Sequence, residues 1–243
     1  GKPFRAPLAM SKLGSSWISR GVWILGIFGL LAVIHTFAFG GGAVPAILPI
    51  LGMLFATFTM LYTGALLSAA KGFPFWKTGI LPVLFLISGL LTGMFAVILA
   101  AVGMGTELAA GHLTKLAAIG AGLIVVELLT IFFFLHASYR ARDTMEAAKR
   151  MMGKSSFIFG DLILGLIVPL CLCLAVYFAV EDTATMTNLL AGAGVLSLIG
   201  GFLLRYAILS TGMQTSLDFA GFNFRPIAKL DFERSPIGRM PPQ

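Results

Sequence analysis

Charge is what this sequence has least of. Asp, Glu, Lys and Arg make up only 11% of its 243 residues, while 58% are hydrophobic and the mean hydropathy is +0.97. A water-soluble domain needs about 25% charged residues to cover its surface, so no soluble fold accounts for the composition. Between Arg20 and Lys71 there is no charged side chain at all, and the solvent for such a stretch is lipid. The same shortage excludes intrinsic disorder, a nucleic-acid-binding domain and a secreted disulfide scaffold, although 17 basic against 10 acidic residues leave a formal charge of +7. Cysteine is almost as scarce. Cys171 and Cys173 stand two apart in an apolar run and so point in different directions on a helix; they read as core thiols. An iron–sulfur cluster needs about four thiolates, and a zinc site a comparable ligand set. The protein is therefore expected to hold neither, no metal site is assigned, and metal-centred redox chemistry would have to come from a partner. No catalytic residue is assigned. Gly1 in place of Met, before a polar segment with Pro and Lys, is expected of a fragment or processed product and does not read as a secretory signal peptide.

What the sequence does have is long apolar runs. A hydrocarbon core of about 30 Å takes about 20 helical residues, which gives an all-α integral membrane protein with six spans, at about 21–39, 44–70, 79–103, 116–137, 157–180 and 187–212. Residues 1–20 and 213–243 flank this bundle. The tetrapeptide at 40–43 makes the first two spans a tight antiparallel pair, and Pro45 and Pro49 fall in the first turns of the second, where a missing N–H costs least. Fifteen of the 17 basic residues lie before span one, between spans two and three, between four and five, or after six; Lys115 and Arg205 are the exceptions. By the positive-inside rule both termini are expected in the cytoplasm. The tail mixes Phe219, Phe222, Phe224 and Phe232 with charges and prolines, and is read as packing on helix ends or on the membrane surface.

Ionisable groups inside a span are costly enough to be functional candidates. They are His35, Glu127, His136, Asp161 and Arg205. A bis-histidine haem needs two imidazoles at one depth on facing helices; only His112, in an outer loop, could accompany His35, so no haem is expected. Asp161 and Arg205 fall at similar depth, where an ion pair is one reading. Glu127, near the middle of span four with no cation at its own depth, is expected to be protonated or to reach a polar neighbour through water. With Thr130 one turn away, and Asp161, Arg205 and His136 nearer the cytoplasm, it forms the best proton-relay candidate; a polar cluster that ties helices together is the plainer alternative. On the outer side His35, Thr36, Glu107 and His112 are the groups able to hydrogen-bond a polar headgroup in an apolar pocket.

A different signal comes from residues 62–93, YTGALLSAAKGFPFWKTGILPVLFLISGLLTG. Membrane physics explains part of it. Lys71, Trp76 and Lys77 anchor an interfacial turn, Pro74 and Pro82 break the helices around it, and Gly89 with Gly93 makes a small-xxx-small packing face. The string as a whole resembles the membrane subunit of the polysulfide reductase (NrfD/PsrC-like) family. SWISRG at 16–21 resembles the opening of that family's third helix, and Leu204-Arg205-Tyr206 a late-helix motif.

The resemblance implies a haem-free, quinone-reactive anchor. It would exchange electrons between the quinone pool (menaquinone or ubiquinone) and a ferredoxin-like iron–sulfur subunit on the extracytoplasmic face. Molybdopterin or multihaem cytochrome subunits would complete the complex, in a bacterial or archaeal cytoplasmic membrane. Tyr62 belongs to the family string and joins the quinone-binding candidates, ranked below the outer four because it lies toward the inner half of its span. The family core has eight helices, of which this sequence is expected to carry six, starting just before the third, so a site named here is partial. A small secondary transporter or channel, with Glu127, Asp161 and Arg205 lining its path, is the alternative from another class, and a purely structural anchor the third.

Overall fold

The computed structural model describes residues 17–38, 45–70, 72–106, 108–212, 217–219 and 222–224. Six helical segments among them are long and apolar enough to cross a membrane. These are α1 (Trp17–Ala38), α2 (Ile47–Ser68), α3 (Ile80–Gly103), α4 (Ala110–Arg140), a continuous stretch from Ser156 to Phe178, and α7 (Thr183–Thr211). In the fifth, a π-helical segment Ser156–Ile167 runs into α6 (Val168–Phe178). Helix α4 runs 31 residues, about 46 Å at 1.5 Å per residue, and so outlasts the hydrocarbon at both ends. Its first turns carry His112, Thr114 and Lys115, too polar for a hydropathy ruler to include.

Two short elements were not legible in the sequence. The basic connection expected between spans four and five contains an amphipathic helix, α5 (Arg142–Met152). Its Ala147, Ala148 and Met151 are buried while Glu146, Lys149 and Arg150 face out. The segment beyond α7 holds a two-stranded antiparallel ladder, β1 (Leu217–Phe219) with β2 (Phe222–Phe224), in register Leu217 to Phe224. Pro49 does sit in the first turn of α2, whereas Pro45 precedes the helix and its carbonyl accepts from Leu48 N at 3.0 Å.

Helix α3 packs against α2, α4 and α7; α7 in turn packs against the π-helical segment and α6, and α1 against α2. The core therefore lies among α3, α4, α6 and α7, filled by Leu84, Phe95, Ile124, Phe134, Cys173, Leu190 and Leu204. Close approaches fall where a glycine removes the side chain. A Cβ on Gly165 would lie 2.5 Å from the Gly200 Cα, and one on Gly64 2.5 Å from the Pro82 Cα. The backbones of the π-helical segment and α7 are thus in direct contact, secured by the Ser197 hydroxyl donating to the Gly165 carbonyl at 3.1 Å. Sequence alone predicted an ordinary helix here; a π-helix is rare and tends to mark functional positions.

The basic end of the bundle is closed by aromatics. The one-turn 3-10 helix Pro74–Trp76 buries Phe75 against Phe134, ring centroids 5.0 Å apart, and stacks Trp76 on Phe73 at 4.1 Å. Trp76 Nε1 donates to the Ile208 carbonyl at 3.0 Å. Helix α5 lies against this turn and α7. At the opposite end Asp182 caps α7, accepting from Thr185 N at 2.8 Å. Hydrogen bonds from the Thr185 hydroxyl and amide hold its carboxyl below the ordinary carboxylate range.

Candidate functional site

In the half of the bundle nearer its basic end, three elements each bring one charged or acidic side chain to a common point. Glu127 lies 17 residues from the start of α4 and 13 from its end, and is 1% exposed. Asp161 projects from the π-helical segment at 0%, and α3 adds Ser88 at 1%. Arg205 of α7 stands within electrostatic reach of both carboxyls. The glycines of α7 make the room. A Cβ on Gly201 would lie 3.1 Å from Arg205 Nη1, 2.6 Å from the Thr92 methyl and 3.6 Å from Ser88 Oγ, and one on Gly200 3.5 Å from Asp161 Oδ1. Ser88, Thr92, Asp161 and Arg205 thus meet around a Gly-Gly step.

The pairing inside this cluster is incomplete. Arg205 Nη1 donates to the Gly201 carbonyl at 2.7 Å, and the guanidinium lies 5.9 Å from the centre of the Phe85 ring. Among the described residues the one ion pair is Arg150–Glu146, on the surface at 3.1 Å, so the ion-pair reading of Asp161 with Arg205 is not what the structure has. Ser88 faces Glu127 without closing a hydrogen bond of ordinary geometry. Ser88 Oγ, Glu127 Oε2 and both Asp161 carboxylate oxygens are buried and have no hydrogen-bond partner among the described residues. Buried polar atoms are paired in the great majority of cases, and in a lipid-embedded bundle the cost of leaving them unpaired is higher still. Such a cluster can hold and pass a proton. Two acids facing one guanidinium carry a net charge of −1 when both are ionised, and one shared proton neutralises it.

Glu127 is not without a cation: Arg205 is within electrostatic reach of both acids. Two other relay candidates stand apart. Thr130 donates its hydroxyl to the Val126 carbonyl at 2.7 Å. His136 is exposed on the far side of α4, stacked on Phe132 with ring centroids 5.9 Å apart. Nine residues from Glu127 is two and a half helical turns, which puts the two on opposite faces. Ser88, Thr92 and the Gly200-Gly201 step were missed by a search for ionisable groups. The spacing of small residues Gly194, Ser197, Gly200 and Gly201 ahead of Arg205 was the available signal.

The headgroup candidates are not drawn into one pocket. His35 and Thr36 are exposed near the end of α1, Thr36 bonding the Ala32 carbonyl at 2.9 Å. The Tyr62 ring packs where a Cβ on Gly21 would lie 1.8 Å from Cζ, and Gly21 is 14 residues, about 21 Å, from His35. His112 is exposed in the first turn of α4. Glu107 lies outside the described residues. A recess of about 770 Å³ does open at this end of the bundle, between the end of α3 and the starts of α4 and α7. Thr106, Thr183, Thr187 and Asn188 supply its polar lining, Val102 and Leu108 its apolar one.

Fold and site together define a multi-pass helical membrane protein with a buried, incompletely paired acid–guanidinium cluster. A family model described as polysulphide reductase, NrfD, matches residues 10–217, and the chain belongs to that family. Among curated proteins it is 32% identical to Protein NrfD of Escherichia coli over 63% of this chain and 49% of the relative, and 30% identical to the Protein NrfD homolog of Haemophilus influenzae over the same shares. It is 28% identical to the C subunit of polysulfide reductase from Wolinella succinogenes, over 77% of this chain and 59% of that one. The chain thus spans about half the length of the curated relatives it matches. No solved structure matches it.

Proposed function

We propose that the chain is the quinone-reactive membrane subunit of a respiratory oxidoreductase complex. It exchanges electrons between the quinone pool and an extracytoplasmic iron–sulfur partner, and the Glu127–Asp161–Arg205 cluster handles the protons. Family membership supports a redox assembly, and one relative is by name a component of polysulfide reductase. The observation that carries the proton role is the set of partnerless buried oxygens on Ser88, Glu127 and Asp161.

The quinone head fits the recess at the acidic-capped end. Its volume lies in the range of small-molecule sites, roughly 300–1,000 Å³; the Thr187 hydroxyl already donates to the Thr183 carbonyl at 2.8 Å, which leaves Thr106, Thr183 and Asn188 to hydrogen-bond two ring carbonyls beside apolar walls. Thr187 and Gly200 are 13 residues apart on α7, about 20 Å, so protons from the recess must cross more than half of the roughly 30 Å hydrocarbon core to reach the cluster. Reduction of quinone takes up two electrons and two protons, and oxidation of quinol releases them. Glu127 and Asp161 then act as the store on that route and Arg205 fixes the charge at which it empties.

The test is the intact complex in proteoliposomes with Glu127→Gln, which keeps size and hydrogen bonding but cannot titrate. Relay predicts that coupling of quinone turnover to membrane potential is lost while the complex stays assembled; full coupled activity in that variant overturns the proton role. Purification without an iron–sulfur subunit, together with no quinone turnover, overturns the redox reading itself.

A further inference from the structure

A second recess, of about 510 Å³, opens on the side of the bundle between the start of α3 and the last three turns of α4, at the basic end. Thr130 forms its deep limit, Val83, Phe133 and Ala137 its walls, and His136 and Arg140 its outer rim. Phe133 and Val83 are 55% and 45% exposed, so no described residue covers this groove and it is not part of the core. From Thr130 to Arg140 is ten residues, about 15 Å, half of the roughly 30 Å hydrocarbon thickness. The groove is therefore one leaflet deep.

Polar groups in the groove are unevenly available. The Thr130 hydroxyl is already spent on the Val126 carbonyl, so the deep end offers no free donor and is otherwise apolar. The rim carries the guanidinium of Arg140, which has no hydrogen-bond or ion-pair partner among the described residues, one turn from the His136 imidazole. An unpartnered guanidinium is a fork suited to a phosphate. We propose that this groove is a binding site for one anionic phospholipid, with its phosphate at Arg140 and His136 and an acyl tail along Val83, Phe133 and Ala137. Basic pockets between membrane helices have this preference. The rim donors would also suit a quinone carbonyl, and titration separates the two ligands.

Native mass spectrometry on the purified complex, stripped of lipid and titrated with phosphatidylglycerol or with phosphatidylcholine of the same acyl composition, tests the site. One phosphatidylglycerol should bind in preference. Arg140→Gln should weaken it about fivefold, the effect of one basic residue near an anionic surface, and weaken phosphatidylcholine, whose phosphate is offset by choline, by less. Arg140→Lys should keep most of the preference, and Ala137→Trp, which fills the groove, should remove that bound lipid whatever its charge. Equal binding of the two lipids, unchanged affinity in both Arg140→Gln and Ala137→Trp, or a quinone that displaces the lipid one for one overturns the proposal.

Discussion

Helix α1 is more uniformly apolar than α7, yet it buries only Ser19 and Gly21 where α7 buries eleven residues. Apart from Gly21 of α1, which Tyr62 covers, the two differ in what their small residues do. On α7, Gly194, Gly200 and Gly201 stand where a Cβ would collide with α3 or with the π-helical segment. On α1, Gly26 and Gly29 have nothing within 4 Å. Lipid tails are as apolar as leucine side chains, so apolarity separates membrane from water but not protein from lipid. Packing in this setting is marked by small residues and by buried polar groups, and both concentrate in the α3–α7 half.

The sharpest way to break that contrast is Arg205→Met. With the guanidinium gone, two buried acids lose their one counter-charge and must take up protons to stay buried, which should give the largest loss of stability in detergent unfolding among these variants; adding Glu127→Gln in the same chain should recover part of it. If the single variant is as stable as wild type, Arg205 does not hold the cluster. Next in size is Gly200→Val, which forces a side chain into the Gly165 backbone and should cost about 1–3 kcal/mol, read as a lower melting temperature. Gly29→Val on α1 should leave the melting temperature unchanged, and equal effects at the two sites would erase the distinction between the halves.

Asp182→Ala should have the smallest effect and a pH signature. The Asp182 carboxyl is held below its ordinary value of 3.8 in the folded chain by the Thr185 hydroxyl and amide. Its contribution is therefore present above that value and is lost as pH falls through the lower, folded one. Wild type and variant should differ in melting temperature at neutral pH and converge in acid, while Asp182→Asn, which still caps, should show no such convergence.

The six spans were legible because a run of about 20 apolar residues has few other uses. Glu127, Asp161 and Arg205 were legible for the converse reason, that charge in such a run is rare. What depth alone could not give was azimuth. His136 joins Glu127 in the sequence reading only as a step at a successive depth, although nine residues put it half a turn away on the helix; counting rotation as well as rise separates them. Helix α5 was missed because its apolar positions are mostly alanine and methionine among charges, and the π-helical stretch because nothing in SFIFGDLILGLI distinguishes i+5 from i+4 pairing. The Gly165–Gly200 contact joins residues with no local sequence relation, and only the folded protein shows why both must be small.

The Trp76 indole and the Ile208 carbonyl it donates to are 132 residues apart in sequence. At translation rates of about 5–20 residues per second, Trp76 emerges roughly 7 to 26 seconds before its partner exists. For that interval the indole has no carbonyl of α7 to bond, and the headgroup region, where tryptophan is at home, is the place it can wait. The aromatic seal over the basic end can thus close only after α7 has been made.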